Sequence, residues 1–139
     1  SRQADDVVAL RMMGLLARRF LDGNPSLPLH HLARELQLPV DVAFHACERL
    51  EAAGCLYRLP VESETVGEAA RLRTVFKVDI DVHALTAGEV LRRFDAMGSS
   101  FSPTTSASAP PTGEAWAAAL ALRREWGRLC ADDRPIAQV

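Results

Sequence analysis

The stretch that decides the fold is residues 29–54, which read LHHLARELQLPVDVAFHACERLEAAG. Apolar residues recur three or four positions apart on both sides of Pro39, and this spacing predicts two short amphipathic helices. Pro28 suits the start of the first helix, because the first turn does not use the amide hydrogen that proline lacks. Asp41 is a possible N-cap of the second helix, and Gly54 is expected to end it in a left-handed conformation. The predicted inward-facing residues are Leu29, Leu32, Ala33 and Leu36, then Ala43, Cys47 and Leu50.

The flanking sequence predicts a helix before this stretch, and two strands and a helix after it. Residues 5–22 have the periodicity of a longer amphipathic helix that ends at Gly23-Asn24-Pro25. Residues 55–61 and 72–80 predict two strands, joined by a polar loop. The helix after the two strands begins with the capping box Thr86–Glu89, in which the hydroxyl and the carboxylate each accept a hydrogen bond from the other residue's amide. The inward-facing residues of the two helices are predicted to be Ala9, Met12, Met13, Leu16 and Phe20, then Val90, Leu91 and Phe94.

This order of elements (helix, helix, turn, helix, hairpin) is that of a winged helix-turn-helix. We therefore predict a mainly α fold with a small β-hairpin over residues 5–97, followed by C-terminal helical structure. Residues 98–113 are dominated by Ser, Thr, Pro and Ala, a composition that predicts a flexible linker. Residues 114–131 predict an amphipathic helix that docks on the chain's own core, on another subunit or on a further domain. Its candidate docking residues are Trp116, Leu122, Trp126 and Leu129.

The composition fits a globular chain without the basic excess typical of nucleic-acid-binding domains. Hydrophobic residues make up 48% of the 139, and the formal net charge is −2. The three cysteines, Cys47, Cys55 and Cys130, lack the paired spacing of a zinc site or a disulfide framework, which predicts reduced thiols. No apolar run reaches the roughly 18 to 20 residues of a membrane span, and no signal peptide is present. We expect a cytoplasmic location, and Ser1 in place of Met suggests a piece of a longer chain.

No group of residues predicts catalysis or metal binding. The sequence lacks a glycine-rich phosphate loop, its serines concentrate in the predicted linker, and its paired carboxylates lie near the two ends. No two good ligands stand at the spacing of a helical zinc site. We therefore predict no enzyme activity, no metal and no cofactor, with Cys47 and Cys55 as buried, inert thiols. The histidines weighed for this role are His30, His31, His45 and His83.

Three segments resemble winged-helix regulators: residues 29–36, residues 49–56, and LTAGEVL at residues 85–91. The first is similar to their second helix, the next to the end of their recognition helix, and the third to the LTxxEVL helix after the wing. Together they resemble the cytosolic C-terminal domain of the YihY/BrkB family, bacterial membrane proteins once labelled ribonuclease BN. This resemblance implies a place on the cytosolic face of the inner membrane, reached only through a segment absent from this chain. The second choice is the Rrf-type regulators, whose cluster-holding members carry cysteines around the wing, where residues 62–82 here have none.

Two functions remain open for such a domain. The favoured one is a non-enzymatic interaction or regulatory module, which binds a protein partner or self-associates through the first helix or the tryptophan helix. The alternative is a DNA-binding transcription regulator, with His45 and Arg49 on the third helix and Arg71 and Arg73 at the second strand as contacts. Carboxylates on the same surfaces would face phosphates and oppose DNA binding. They are Asp41, Glu48 and Glu51 on the third helix and Glu62, Glu64 and Glu68 in the predicted loop.

Overall fold

The computed structural model describes residues 2–59, 67–98 and 133–139. This part of the chain is mainly helical with a small two-stranded antiparallel sheet, which confirms the predicted fold class. The α-helices are α1 (Arg2–Leu21), α2 (Leu29–Glu35), α3 (Val40–Ala52), α4 (Glu68–Arg73) and α5 (Ala87–Met97). The strands are β1 (Leu56–Arg58) and β2 (Phe76–Val78), and Ile136–Gln138 form a 3-10 helix.

Local signals place most of the helix ends correctly. Gly23 and Gly54 follow α1 and α3 with φ of 71° and 80°, a left-handed conformation that glycine adopts without a Cβ clash. Pro28 is the N-cap residue of α2, as predicted. The Thr86 hydroxyl accepts a hydrogen bond from the Glu89 amide at 3.1 Å, which confirms half of the capping box. The Glu89 carboxylate instead pairs with two arginines of α5, Arg92 and Arg93.

The prediction of Asp41 as an N-cap is wrong. Pro39 is the N-cap residue of α3, and its side chain makes no capping hydrogen bond. Since proline fixes its own φ and the helix begins directly at Val40, Asp41 lies inside the first turn. Its carboxylate there still faces the positive end of the helix dipole, a favourable position for an acid.

The sheet is shorter than predicted, because part of the second predicted strand is helical. Residues 68–73, EAARLR, form α4 from strong helix formers, where the sequence predicted a loop running into a strand. The strands pair in the register Leu56↔Val78, Tyr57↔Lys77 and Arg58↔Phe76. An antiparallel bridge between Pro28 and Val75 adds the segment before α2 to the other edge of β2.

The core lies between α1, α2, α3, α5 and the inner face of the hairpin. Its largest fully buried side chains are Val7, Leu10, Met12, Met13, Leu29, Leu32, Leu50, Leu56, Phe76, Phe94 and Ile136. The predicted inward faces of α3 and α5 are confirmed, and so is that of α1 with one exception. Phe20 is 60% exposed, because the last turn of α1 borders an open groove instead of the core.

The residues at the end of the sequence belong to this core, which the predicted domain boundaries of 5–97 do not include. Ile136 is fully buried, and its amide donates to the Leu85 carbonyl at 3.0 Å. The Arg18 guanidinium donates to the main-chain oxygen of Val139 at 2.7 Å. The segment 133–139 therefore packs along α1 and against the start of α5.

Most of the predicted linker and the predicted helix at 114–131 lie outside the described residues. So do the candidate docking residues Trp116, Leu122, Trp126 and Leu129. Within the described part, none of the helices has the length and apolar character needed to cross a bilayer.

Candidate interaction site

The first candidate surface is the outer face of α3, and Arg49, which was predicted to lie on this face, is buried instead. Arg49 is only 7% exposed, and its Nη2 donates to the Asp6 carboxylate of α1 inside the core. Its guanidinium also lies 4.2 Å from the ring centroid of Phe94. The prediction of Arg49 as a surface contact is therefore wrong, because its position faces a buried carboxylate 43 residues earlier in the chain.

The other three predicted contacts lie nearer the surface but on different elements. His45 is half-buried on α3, beside a small recess. Arg71 and Arg73 are exposed on α4, not at a strand. The Arg71 Nη1 lies 3.8 Å from the Asp41 carboxylate, and its guanidinium lies 5.0 Å from the Phe44 ring centroid. Arg71 therefore lies near the start of α3, where it forms an ion pair with Asp41.

Arg58 of β1 is a central cation of this surface that the sequence did not single out. Its Nε and Nη2 donate to the Glu51 carboxylate at 3.0 and 2.7 Å, and Glu48 lies 3.9 Å away. The guanidinium also lies 5.5 and 5.3 Å from the ring centroids of Phe44 and Phe76. The sequence signal was available: two glutamates in the last turns of a helix, followed a short turn later by a strand arginine.

These pairs set the electrostatics of the α3 face. Hydrogen bonding to Arg58 lowers the pKa of the Glu51 carboxyl and raises the pKa of Arg58 itself. Arg71 lies near Asp41 in the same way, although both side chains are largely exposed. A phosphate group would have to displace carboxylates to reach these two cations. The face is therefore internally neutralised and poorly suited to a polyanion.

The second candidate surface is an apolar groove at the end of α1, named here the Phe20 groove. It has a volume of about 150 Å³ and lies between α1, the turn before α2 and the hairpin. Phe20 and Tyr57 border it with 60% and 41% of their surfaces exposed. The lining residues are Leu16, Arg19, Phe20, Asn24, Pro25, Ser26, Leu27, Tyr57, Phe76, Lys77 and Val78.

Local structure explains why this groove stays open. Gly23 and Pro25 end α1 and turn the chain, so that residues 24–27 form one wall of the groove and Phe20 stays 60% exposed. Tyr57 pairs with Lys77 across the hairpin and points to its outer face, since successive strand residues alternate. Leu59, two residues later on the same face, is also exposed. The result is an apolar surface with a cation, Lys77, at its edge.

His30, Cys47 and Cys55 have structural roles in the described part of the chain. The His30 Nδ1 donates to the Leu72 carbonyl at 2.7 Å and so links α2 to α4. Cys47 and Cys55 are buried free thiols, and burial raises the pKa of each. No three potential metal-ligand side chains come together in residues 2–59, 67–98 and 133–139.

The geometry thus offers a neutralised α3 face and an open apolar groove, with two exposed arginines on α4. No family model, curated protein or solved structure matches this chain.

Proposed function

We propose that this domain is a non-enzymatic protein-interaction module of winged-helix type, and that it binds its partner at the Phe20 groove. The observation that carries the proposal is the exposure of Phe20 and Tyr57 on either side of a preformed recess. Covering the exposed 60% of Phe20 contributes about 1–2 kcal/mol, and aromatic residues are enriched at the energetic centres of protein interfaces.

The element order supports the winged-helix type. The bridge from Pro28 to Val75 makes β2 the middle of three strand-like segments, with β1 on its other side. The chain then runs helix, strand segment, helix, helix and hairpin, with α4 in the connection of the hairpin. In such domains α3 is the recognition helix, and here it carries the paired acidic surface. By its resemblance to YihY/BrkB proteins, we place the module at the cytosolic face of a bacterial membrane protein.

A selection of peptides from a random display library against the full chain tests the groove. Enriched peptides are expected to bind in an anisotropy titration, and Phe20→Ser is expected to weaken them at least tenfold. Val42→Ser is the matched control, since Val42 is an exposed apolar residue of α3 outside the groove. Peptides that bind the Phe20→Ser chain as well as the unchanged chain would rule out the groove as the binding site.

A DNA-binding regulator is the second candidate, and exposed Arg71 and Arg73 on α4 are the observation that favours it. Anisotropy with a mixed-sequence duplex between about 20 and 200 mM salt separates the two functions. At the lowest salt we expect no DNA binding with a Kd below 10 μM. Submicromolar binding that weakens steeply with salt, and that is lost on replacing Arg71 and Arg73 by glutamate, would establish the regulator instead. Arg49→Glu is unsuitable for this test, because Arg49 is buried.

A further inference from the structure

We propose that the cleft between α1 and the first turn of α5 is a second, peptide-recognising site, distinct from the Phe20 groove. Its ligand in this structure is the chain's own segment 133–139, and we infer that the cleft accepts a free peptide of the same chemistry. That chemistry is an extended segment with a proline followed by a buried aliphatic residue.

The cleft binds main-chain atoms of the segment. The Ile136 amide donates to the Leu85 carbonyl at 3.0 Å, and the Ala87 amide donates to the Arg134 carbonyl at 2.9 Å. These two bonds flank an antiparallel bridge between Thr86 and Pro135. Proline fits this position because neither bond uses the amide hydrogen that it lacks. The arrangement is a single antiparallel bridge outside the β1–β2 sheet, in which main-chain groups of the segment pair with those of residues 85–87.

One buried side chain supplies the apolar anchor. Ile136 is fully buried, Ala137 and Val139 pack partly against the core, and Pro135 and Gln138 are exposed. One deeply buried aliphatic side chain with less buried neighbours is a suitable anchor for a short peptide in a groove. The pocket therefore selects the residue that follows the proline.

The helix α1 is shaped for close approach of this peptide. A Cβ on Gly14 would lie 3.0 Å from the Ile136 carbonyl oxygen and 3.2 Å from that of Val139. Glycine weakens a helix interior, so its place here is explained by the room that it gives the peptide backbone. One turn later, the Arg18 Nη1 donates to the oxygens of Val139 at 2.7 Å and Ala137 at 3.3 Å. The glycine and the arginine act on main-chain atoms and so recognise any peptide of this backbone shape.

The segment is joined to the rest of the domain by a long connection. Residues 99–132 separate it from the end of α5. A tethered segment competes with a free peptide at an effective concentration set by the length and stiffness of the connection. A free peptide is therefore expected to bind only when the tethered segment is weakened, which determines the experiment.

The test uses the full chain with Ile136→Asp, which places a carboxylate in the apolar pocket and weakens the tethered segment. A fluorescent synthetic peptide of residues 133–139 is titrated into it and followed by anisotropy. We expect saturable binding below 1 mM, and at least tenfold weaker binding to the unchanged chain. The same peptide carrying Ile136→Asp is the negative control. Adding Gly14→Val to the chain is expected to abolish binding, whereas adding Val42→Ser is expected to leave it unchanged.

Circular dichroism first establishes that the Ile136→Asp chain is folded, and Ile136→Ala replaces it if it is not. Absence of saturable binding to a folded variant at 2 mM peptide would overturn the proposal. So would equal binding of the control peptide that carries aspartate. If both variants fail to fold, the segment is an integral part of the core and the cleft is no separate site. None of these results depends on the Phe20 groove.

Discussion

The ion pair between Arg49 and Asp6 provides the sharpest quantitative prediction. Both side chains are buried, at 9% and 4% exposure, and Arg49 also stacks on Phe94 at 4.2 Å. Arg49→Met keeps the length of the side chain and removes the guanidinium that neutralises Asp6. Breaking a buried pair in this way costs about 3–5 kcal/mol of unfolding free energy. For a chain of this size, that loss lowers Tm by roughly 12–20 °C.

The partner substitution distinguishes the pair from simple loss of packing. With Asp6→Leu added to Arg49→Met, neither charge remains in the core, and stability is expected to return to within about 1 kcal/mol of the unchanged chain. Urea unfolding followed by circular dichroism measures the free energies of unfolding of the unchanged chain, Arg49→Met, Asp6→Leu and the double variant. Arg34→Met, at an exposed arginine of α2, is the control and is expected to change stability by less than about 0.5 kcal/mol.

Two results would refute this reasoning. One is a loss of less than about 1 kcal/mol in Arg49→Met, which would mean that the pair contributes little. The other is a double variant at least as unstable as the sum of the single ones, which would show no coupling between the two sites.

Three further outcomes follow from the described contacts. Because burial raises the pKa of Cys47 and of Cys55, both thiols stay protonated, so in a Cys130→Ser background a disulfide reagent at pH 8 should label the chain only after denaturation. Fast labelling of the native chain would contradict this. Thr86→Ala removes the cap of α5 and should lower stability by about 1 kcal/mol in urea unfolding, whereas Thr86→Ser should cost only a few tenths, and equal losses would exclude capping as the cause. Arg58 lowers the pKa of Glu51, so their pair stabilises the folded chain at pH values above the unfolded-state pKa near 4.5. This stabilisation is lost as pH falls through the lower pKa of Glu51 in the folded state. Arg58→Met should therefore cost about 0.5 kcal/mol at pH 7 and progressively less below about pH 4.5, and a difference that does not change with pH would contradict the pairing.

Local sequence signals account for the parts of the fold that depend on neighbouring residues. The glycines after α1 and α3, the proline before α2 and the threonine cap of α5 lie where the sequence predicts, because each acts within one helical turn. Helical periodicity likewise predicts the buried faces of α1, α3 and α5, since a helix must turn its apolar side to the core. These signals suffice for the fold class and for the order of the elements other than α4.

Prediction from the sequence is wrong where the local pattern fits two different structures. Residues 72–80 alternate like a strand, but 68–73 are also strong helix formers, and contact with α2 through His30 favours the helix. Phe20 has the periodicity of a core residue, yet the turn at Gly23 leaves its side without a covering element among the described residues. The Phe20 groove follows from that turn and from the hairpin, so periodicity alone could not reveal it.

The sequence by itself determined the mainly helical fold with a hairpin, the helix ends and the apolar faces, because these depend on contacts within a turn or a strand. Tertiary structure alone decided that Arg49 is a core residue. It also decided that residues 133–139 fill a cleft on α1. Both depend on a contact between groups far apart in sequence: Arg49 meets the Asp6 carboxylate, and the Arg18 guanidinium meets the main-chain oxygen of Val139. The free energy of a charged or buried group is set by its partner, and partners far apart in sequence leave no local pattern.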